Sequence, residues 1–165
     1  MAALTPPLSL AFEANSLYIL ILDRGDTYLF LWSLYLTTTA TEGIHFHIIN
    51  DSGPTDWKYE RTPTDKMPFL RRLLVALKIG AVESKMHGAL SDRLALVPLT
   101  LFSTRFREKL SCRVWAKEAL FALDDEGFLD LGKTVQGIEE EANYLAMMAK
   151  SKGDRKVVRS AACTV

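Results

Sequence analysis

Two cysteines, Cys112 and Cys163, and three histidines, His45, His47 and His87, are all that the 165 residues offer of the softer catalytic side chains. Two thiols cannot build a disulfide framework, so both read as free thiols in a reducing compartment. Charge of either sign is not in excess: 20 Lys and Arg face 20 Asp and Glu, for a formal net charge of zero. A nucleic-acid partner or an acidic membrane surface is therefore not expected. Long apolar runs are missing too. Leu17–Leu22 and Tyr28–Leu36 are the longest, well short of the roughly 20 residues that cross a bilayer. The opening MAALTPPLSLAFEANS has no basic region and no long apolar stretch, so it does not read as a secretory signal, and a cytoplasmic location is expected. No glycine-rich phosphate loop, Walker motif or GxSxG elbow occurs. No cofactor is expected, and oligomeric state is left open.

What is present is an ordinary globular composition, 48% apolar and 24% charged, long enough for a real core. An irregular arm, residues 1–15 with Pro6 and Pro7, precedes a single α+β domain, residues 16–165. SLYILIL (Ser16–Leu22) is apolar on both faces and predicts a central strand. The turn Asp23–Asp26 leads to a second strand, Thr27–Leu36, and the two make a hairpin. A third strand, Ile44–Asn50, puts Ile44, Phe46 and Ile48 on one face and His45, His47 and Ile49 on the other. After the turn Asp51–Asp56 comes a short strand, Trp57–Arg61, then a loop, Arg61–Pro68. Arg72–Val82 leans towards a strand. Helices are expected over Ala89–Leu96, Cys112–Asp125 (capped by Ser111, closed by Gly127) and Val135–Lys150. Arg155–Ala161 suits an edge strand. The expected fold is an antiparallel sheet of about four to six strands packed against C-terminal helices.

Cys112 is the leading candidate. A cysteine in the first turn of a helix meets unpaired N–H groups and the positive end of the dipole, which favour a thiolate nucleophile. Arg113 adds positive charge. The alternative is a buried small hydrophobe. His45 and His47, two apart on a strand, share a side, where either serves as base to a thiol. Asn50 or Asp51 would orient that base. As metal ligands the two histidines and Asp51 lack an evident third strong partner, so no metal is expected. Trp57, Tyr59 and Glu60, with Trp32 and Trp115, are either core or the lining of a substrate pocket.

The segments His47–Glu60 and Ser111–Leu129 resemble a set of uncharacterised small fungal proteins with a C-R-x-W helix start (Cys112, Arg113, Trp115) and a W-x-Y-E strand (Trp57, Tyr59, Glu60). The order of parts, a histidine strand before a helix-start cysteine, also resembles the circularly permuted papain-like thiol enzymes, among them the lecithin-retinol-acyltransferase-like proteins. That resemblance implies a cysteine-dependent hydrolase or acyl transferase acting on an amide, ester or thioester. It also places the usual base at Leu31, so His45 or His47 would have to replace it. A second reading is a repurposed fold binding a small apolar molecule, as a cyclase or isomerase of specialised metabolism would. A third is a non-catalytic interaction module presenting the acidic helix Val135–Lys150 and the basic tail Lys150–Arg159.

Overall fold

Seven consecutive residues of one apolar run, Ser16–Leu22, are buried on both faces and form strand β1 inside a six-stranded sheet. The computed structural model describes residues 9–25 and 27–164, so the first eight residues of the expected arm lie outside it. The other strands of the sheet are β2 (Leu31–Thr37), β3 (Gly43–Ile49), β4 (Lys58–Thr64) and β5 (Leu73–Ala81). Helix α1 (His87–Ala95) and a small hairpin, β6 (Phe102–Ser103) with β7 (Glu108–Lys109), follow. Helices α2 (Cys112–Asp125) and α3 (Val135–Lys152) come next, and β8 (Lys156–Arg159) closes the sheet. The strand order is β4-β3-β2-β1-β5-β8, antiparallel throughout except for the β5–β8 pair. The chain is α+β, with the C-terminal helices on the sheet.

The strict alternation of strand side chains divides the core in two. Ile19, Ile21, Trp32, Leu34, Phe46 and Ile48 point to the face covered by α2 and α3 and meet Trp115, Ala119, Ile138, Ala142 and Ala146. Tyr18, Leu20, Leu22 and Tyr35 point the other way. Among the described residues no α-helix covers that face. Phe12 from the N-terminal segment covers it, together with Met67. Phe12 lies edge-on to both Tyr18 and Tyr35, with ring centroids 5.0 and 5.3 Å away.

Local chemistry sets the helix ends. Ser111 is extended, and its hydroxyl accepts the Val114 N–H at 3.2 Å, so α2 starts at Cys112. Gly127, at φ +82°, takes the chain out of α2. Thr134 caps α3 through the Gly137 N–H, and Gly153 ends it in a left-handed conformation.

Three expectations change. Strand β2 begins at Leu31 and not at Thr27. Lys150 of α3 draws the intervening loop out of the sheet, bonding the Asp23 carboxylate at 2.8 Å and the carbonyls of Gly25 and Thr27. Strand β4 runs to Thr64, through the segment expected to be a loop. It is an edge strand, which tolerates Pro63 because no neighbour requires its missing N–H. The β6–β7 hairpin has strands too short to carry an alternating pattern.

The hairpin is tied to the helices by ions. Lys117, only 3% exposed, donates to Glu139 at 2.9 Å and Glu108 at 3.4 Å. Arg113 binds the same two carboxylates. Lys117 also sits over the Phe106 ring, 4.5 Å from its centroid.

Candidate functional site

The ladder between β2 and β3 is incomplete. Pairing runs from Thr37–Gly43 to Leu34–Phe46 and stops, although each strand continues for three more residues. Leu31, Trp32 and Ser33 remain paired with β1 alone, and His47, Ile48 and Ile49 with β4 alone. The two strands part here, and the opening is a cleft of about 460 Å³. That volume lies within the range of small-molecule sites. Leu31–Ser33 form one wall and His47–Ile49 the other.

The N-terminus of α2 plugs the helix side of the opening. Cys112 Sγ accepts the Trp32 backbone N–H at 3.4 Å, taking a hydrogen bond that a continuing β3 would otherwise receive. Ser111 and Cys112 both line the cleft. A second hollow of about 540 Å³ lies between the β1–β2 loop and α3, and Arg24, Trp32, Ser111 and Cys112 line both. Cys112 thus stands where two cavities meet.

Because strand faces alternate, the histidines approach from the side of the sheet opposite α2. His45 is paired with Tyr35, on the helix-free face. The His45 and His47 rings stack at 4.3 Å with 25° between planes. His47 Nε2 lies 3.1 Å from Glu60 Oε2, its cross-strand partner. An ionised carboxylate only accepts, so Nε2 carries the proton and a neutral His47 keeps Nδ1 as its basic nitrogen. Burial depresses the affinity of His47 for a proton and outweighs the opposing pull of Glu60. His45 is held further down, at about 3, by burial first, then by the charges of His47 and Arg72. Both rings are neutral at pH 7. Among the described residues no hydrogen bond joins Cys112 to either ring.

Two polar atoms in the cleft walls are buried without a partner: Ser33 Oγ and His45 Nε2. Ser33 is 2% exposed. Leaving such an atom unpaired costs about 1–3 kcal/mol, which an ordered water or a polar group of a ligand that reaches it recovers. The rest of the floor is apolar, from Leu22, Trp32 and Ile48. Arg24, Asp51 and Arg72 form an exposed rim.

Of the residues singled out in the sequence, Trp32, His45, His47, Asn50, Asp51, Trp57 and Cys112 line this cleft. Four do not. Trp115 is completely buried in the core beneath the sheet. Tyr59, on the helix-facing side of β4, packs against that core with its ring 6.0 Å from Trp115. Glu60 is exposed and reaches the cleft only through His47. Arg113 is neutralised by Glu108 and Glu139 and lines the second hollow. The C-R-x-W and W-x-Y-E patterns therefore mix cleft and core residues. Ser33, Arg24 and Arg72 were missed. A serine inside an apolar strand was the available signal for Ser33; neither arginine sits in a pattern that marks it.

Among the described residues no group of three or more His, Cys, Asp or Glu side chains is placed to hold a metal ion. No helix among them is long and apolar enough to cross a membrane. Comparison with known proteins returns no matching family model, no matching curated protein and no matching solved structure.

Proposed function

We propose that the protein binds a small, largely apolar molecule in the split between β2 and β3 and moves a proton on it, the chemistry of an isomerase or cyclase. The observation that carries this reading is the pair of orphaned polar atoms, Ser33 Oγ and His45 Nε2, in an otherwise apolar cleft. A ligand that reaches them gains a hydrogen bond at each, which fixes orientation, while Trp32, Ile48 and Trp57 supply contact area. His47 is the proton carrier. Glu60 holds its Nε2–H and so fixes the tautomer, while burial keeps the imidazole neutral, the state a general base needs at pH 7.

A thermal-shift screen of aromatic and alicyclic compounds tests the binding step. Compounds that raise the melting temperature of the native protein should lose most of that effect in Ser33→Val, which fills space and removes the hydroxyl. A screen whose hits bind Ser33→Val unchanged sinks this reading. For any compound that is turned over, His47→Gln should lower kcat by about 10²-fold or more while leaving binding nearly intact.

A cysteine-dependent hydrolase or acyl transferase is the second reading, favoured by the Trp32 N–H bond to Cys112 Sγ at the meeting of two cavities. In it Cys112 attacks an acyl carbon from the helix side, the amine, alcohol or thiol leaves with the thiol proton, and water or an acceptor then takes the acyl group from sulfur. Iodoacetamide discriminates between the two. Under the thiol reading Cys112 alkylates at neutral pH faster than free cysteine, and Cys112→Ala abolishes turnover. Under the proton-transfer reading Cys112→Ala keeps turnover.

A further inference from the structure

The rim of the cleft is not electrically neutral, and its charge points to what the ligand carries. Arg24 follows β1 and Arg72 precedes β5. They are brought together because the Asp23 N–H donates to the Arg72 carbonyl at 2.7 Å, extending the β1–β5 pairing past Leu22–Leu73. Both arginines line the cleft and both are exposed. Among the described residues neither makes an ion pair, as is also true of Arg61, Arg71 and Arg107, whereas Arg93, Arg105 and Arg113 each have a glutamate. Among the described residues Asp51 is the only acidic side chain lining the cleft, and it too makes no ion pair. On the rim itself two guanidinium groups stand against the one carboxylate of Asp51, while Glu60 adds a negative charge behind His47.

Resting on the reading that the cleft binds a small apolar molecule, we infer that this molecule is an organic carboxylate whose anionic end lies between Arg24 and Arg72 and whose apolar body enters the split towards Ser33. Guanidinium groups present paired N–H donors that match the two oxygens of a carboxylate. The floor of Leu22, Trp32 and Ile48 suits a ring or short chain. Ser33 Oγ and His45 Nε2 then meet a polar substituent on the far part of that body. A cationic ligand is disfavoured by the same rim, and a fully apolar one would leave the deep polar atoms unpaired.

The experiment uses matched probes, 6-hydroxy-2-naphthoate and 6-hydroxy-2-naphthamide, whose hydroxyl is the far polar substituent, titrated calorimetrically into the full chain. They share a body and differ in charge. Naphthoate should bind about tenfold or more tightly than naphthamide at low salt, the scale of one charge-assisted pair. The ratio should shrink as salt is raised, because the rim is exposed to solvent. Arg24→Gln combined with Arg72→Gln should bring naphthoate down to the amide while leaving the amide unchanged. Both positions are exposed, so the variant should fold, and an unchanged melting temperature confirms that. Equal affinity for the two probes, or a preference that survives the double substitution, overturns the carboxylate inference and leaves the cleft-binding reading standing. Binding of neither probe overturns both.

Discussion

His45 shows what a single residue does in this fold. Its side chain is largely buried, its Nε2 has no partner, and burial with nearby positive charge keeps it neutral far below the ordinary histidine range. In the unfolded chain the same imidazole takes up a proton near pH 6.5. The unfolded state therefore binds more protons than the native state between pH 6.5 and about 3, and stability rises with pH across that window. Falling pH removes it. By pH 5 the loss from His45 amounts to about 2 kcal/mol, and His47, shifted in the same direction, adds to it. Urea denaturation at pH 7 and pH 5 checks this. His45→Leu should have a visibly shallower pH dependence than the native chain, and identical slopes would show that His45 titrates normally in the folded protein. At this scale the sequence was partly informative. The shared face of His45 and His47 follows from strand alternation alone, whereas the identity of the face, opposite α2, depends on how the whole sheet is covered.

At the scale of elements, α2 is the most legible part of the chain and also the most misleading. Ser111 and Gly127 mark its two ends by local chemistry, and the helix runs between them as expected. Its apolar stripe predicts Ala116, Ala119 and Leu123 in the core, and they are there. Lys117 breaks the pattern. A lysine is expected at the surface, yet this one is buried because Glu108 and Glu139 arrive from elements far away in sequence. No periodicity within α2 can announce that. The quartet also has a directional consequence. Lys117→Met removes a buried cation while Arg113 still neutralises both carboxylates, so it should change stability by no more than about 1 kcal/mol. Glu139→Gln leaves Lys117 buried with only the longer contact to Glu108, and should cost about 3 kcal/mol. Paired denaturation curves decide it; equal costs would mean that the quartet is not the source of the asymmetry. Strand β2 illustrates the opposite failure. Thr27–Phe30 has strand-like residues, but Lys150 from the far end of α3 holds the preceding turn, and that tertiary contact overrides local preference.

At the scale of the molecule, the two faces of the sheet are covered in different ways. One carries a layer of helices. The other relies on a short irregular segment, anchored where the Leu10 N–H meets the Pro68 carbonyl and where Asn15 bonds Thr37 and Val82. Phe12 is its main apolar anchor, and Phe12→Ala should cost about 3 kcal/mol, with most of the loss traced to the uncovered Tyr18 and Tyr35. A thermal melt of that variant within a degree of the native protein would show that this cover is dispensable. The α+β class and the succession of the main strands along the chain were legible, since they rest on alternation and turn residues; their order in the sheet beyond the first hairpin was not. The cleft was not. It arises from a hydrogen-bond ladder that ends early, and nothing in the side-chain pattern of Leu31–Ser33 or His47–Ile49 distinguishes a strand that stays paired from one that parts.

The early end of that ladder also gives the protein a built-in reporter. In a closed sheet the Trp32 amide would bond a carbonyl; here its acceptor is the sulfur of Cys112. A thiol sulfur is a weaker acceptor than a carbonyl, so this buried amide is only lightly held. Its deuterium exchange in solution reads the state of the opening directly. A molecule that enters the split should slow it, and a helix start that withdraws should speed it, without any need to know in advance what the molecule is.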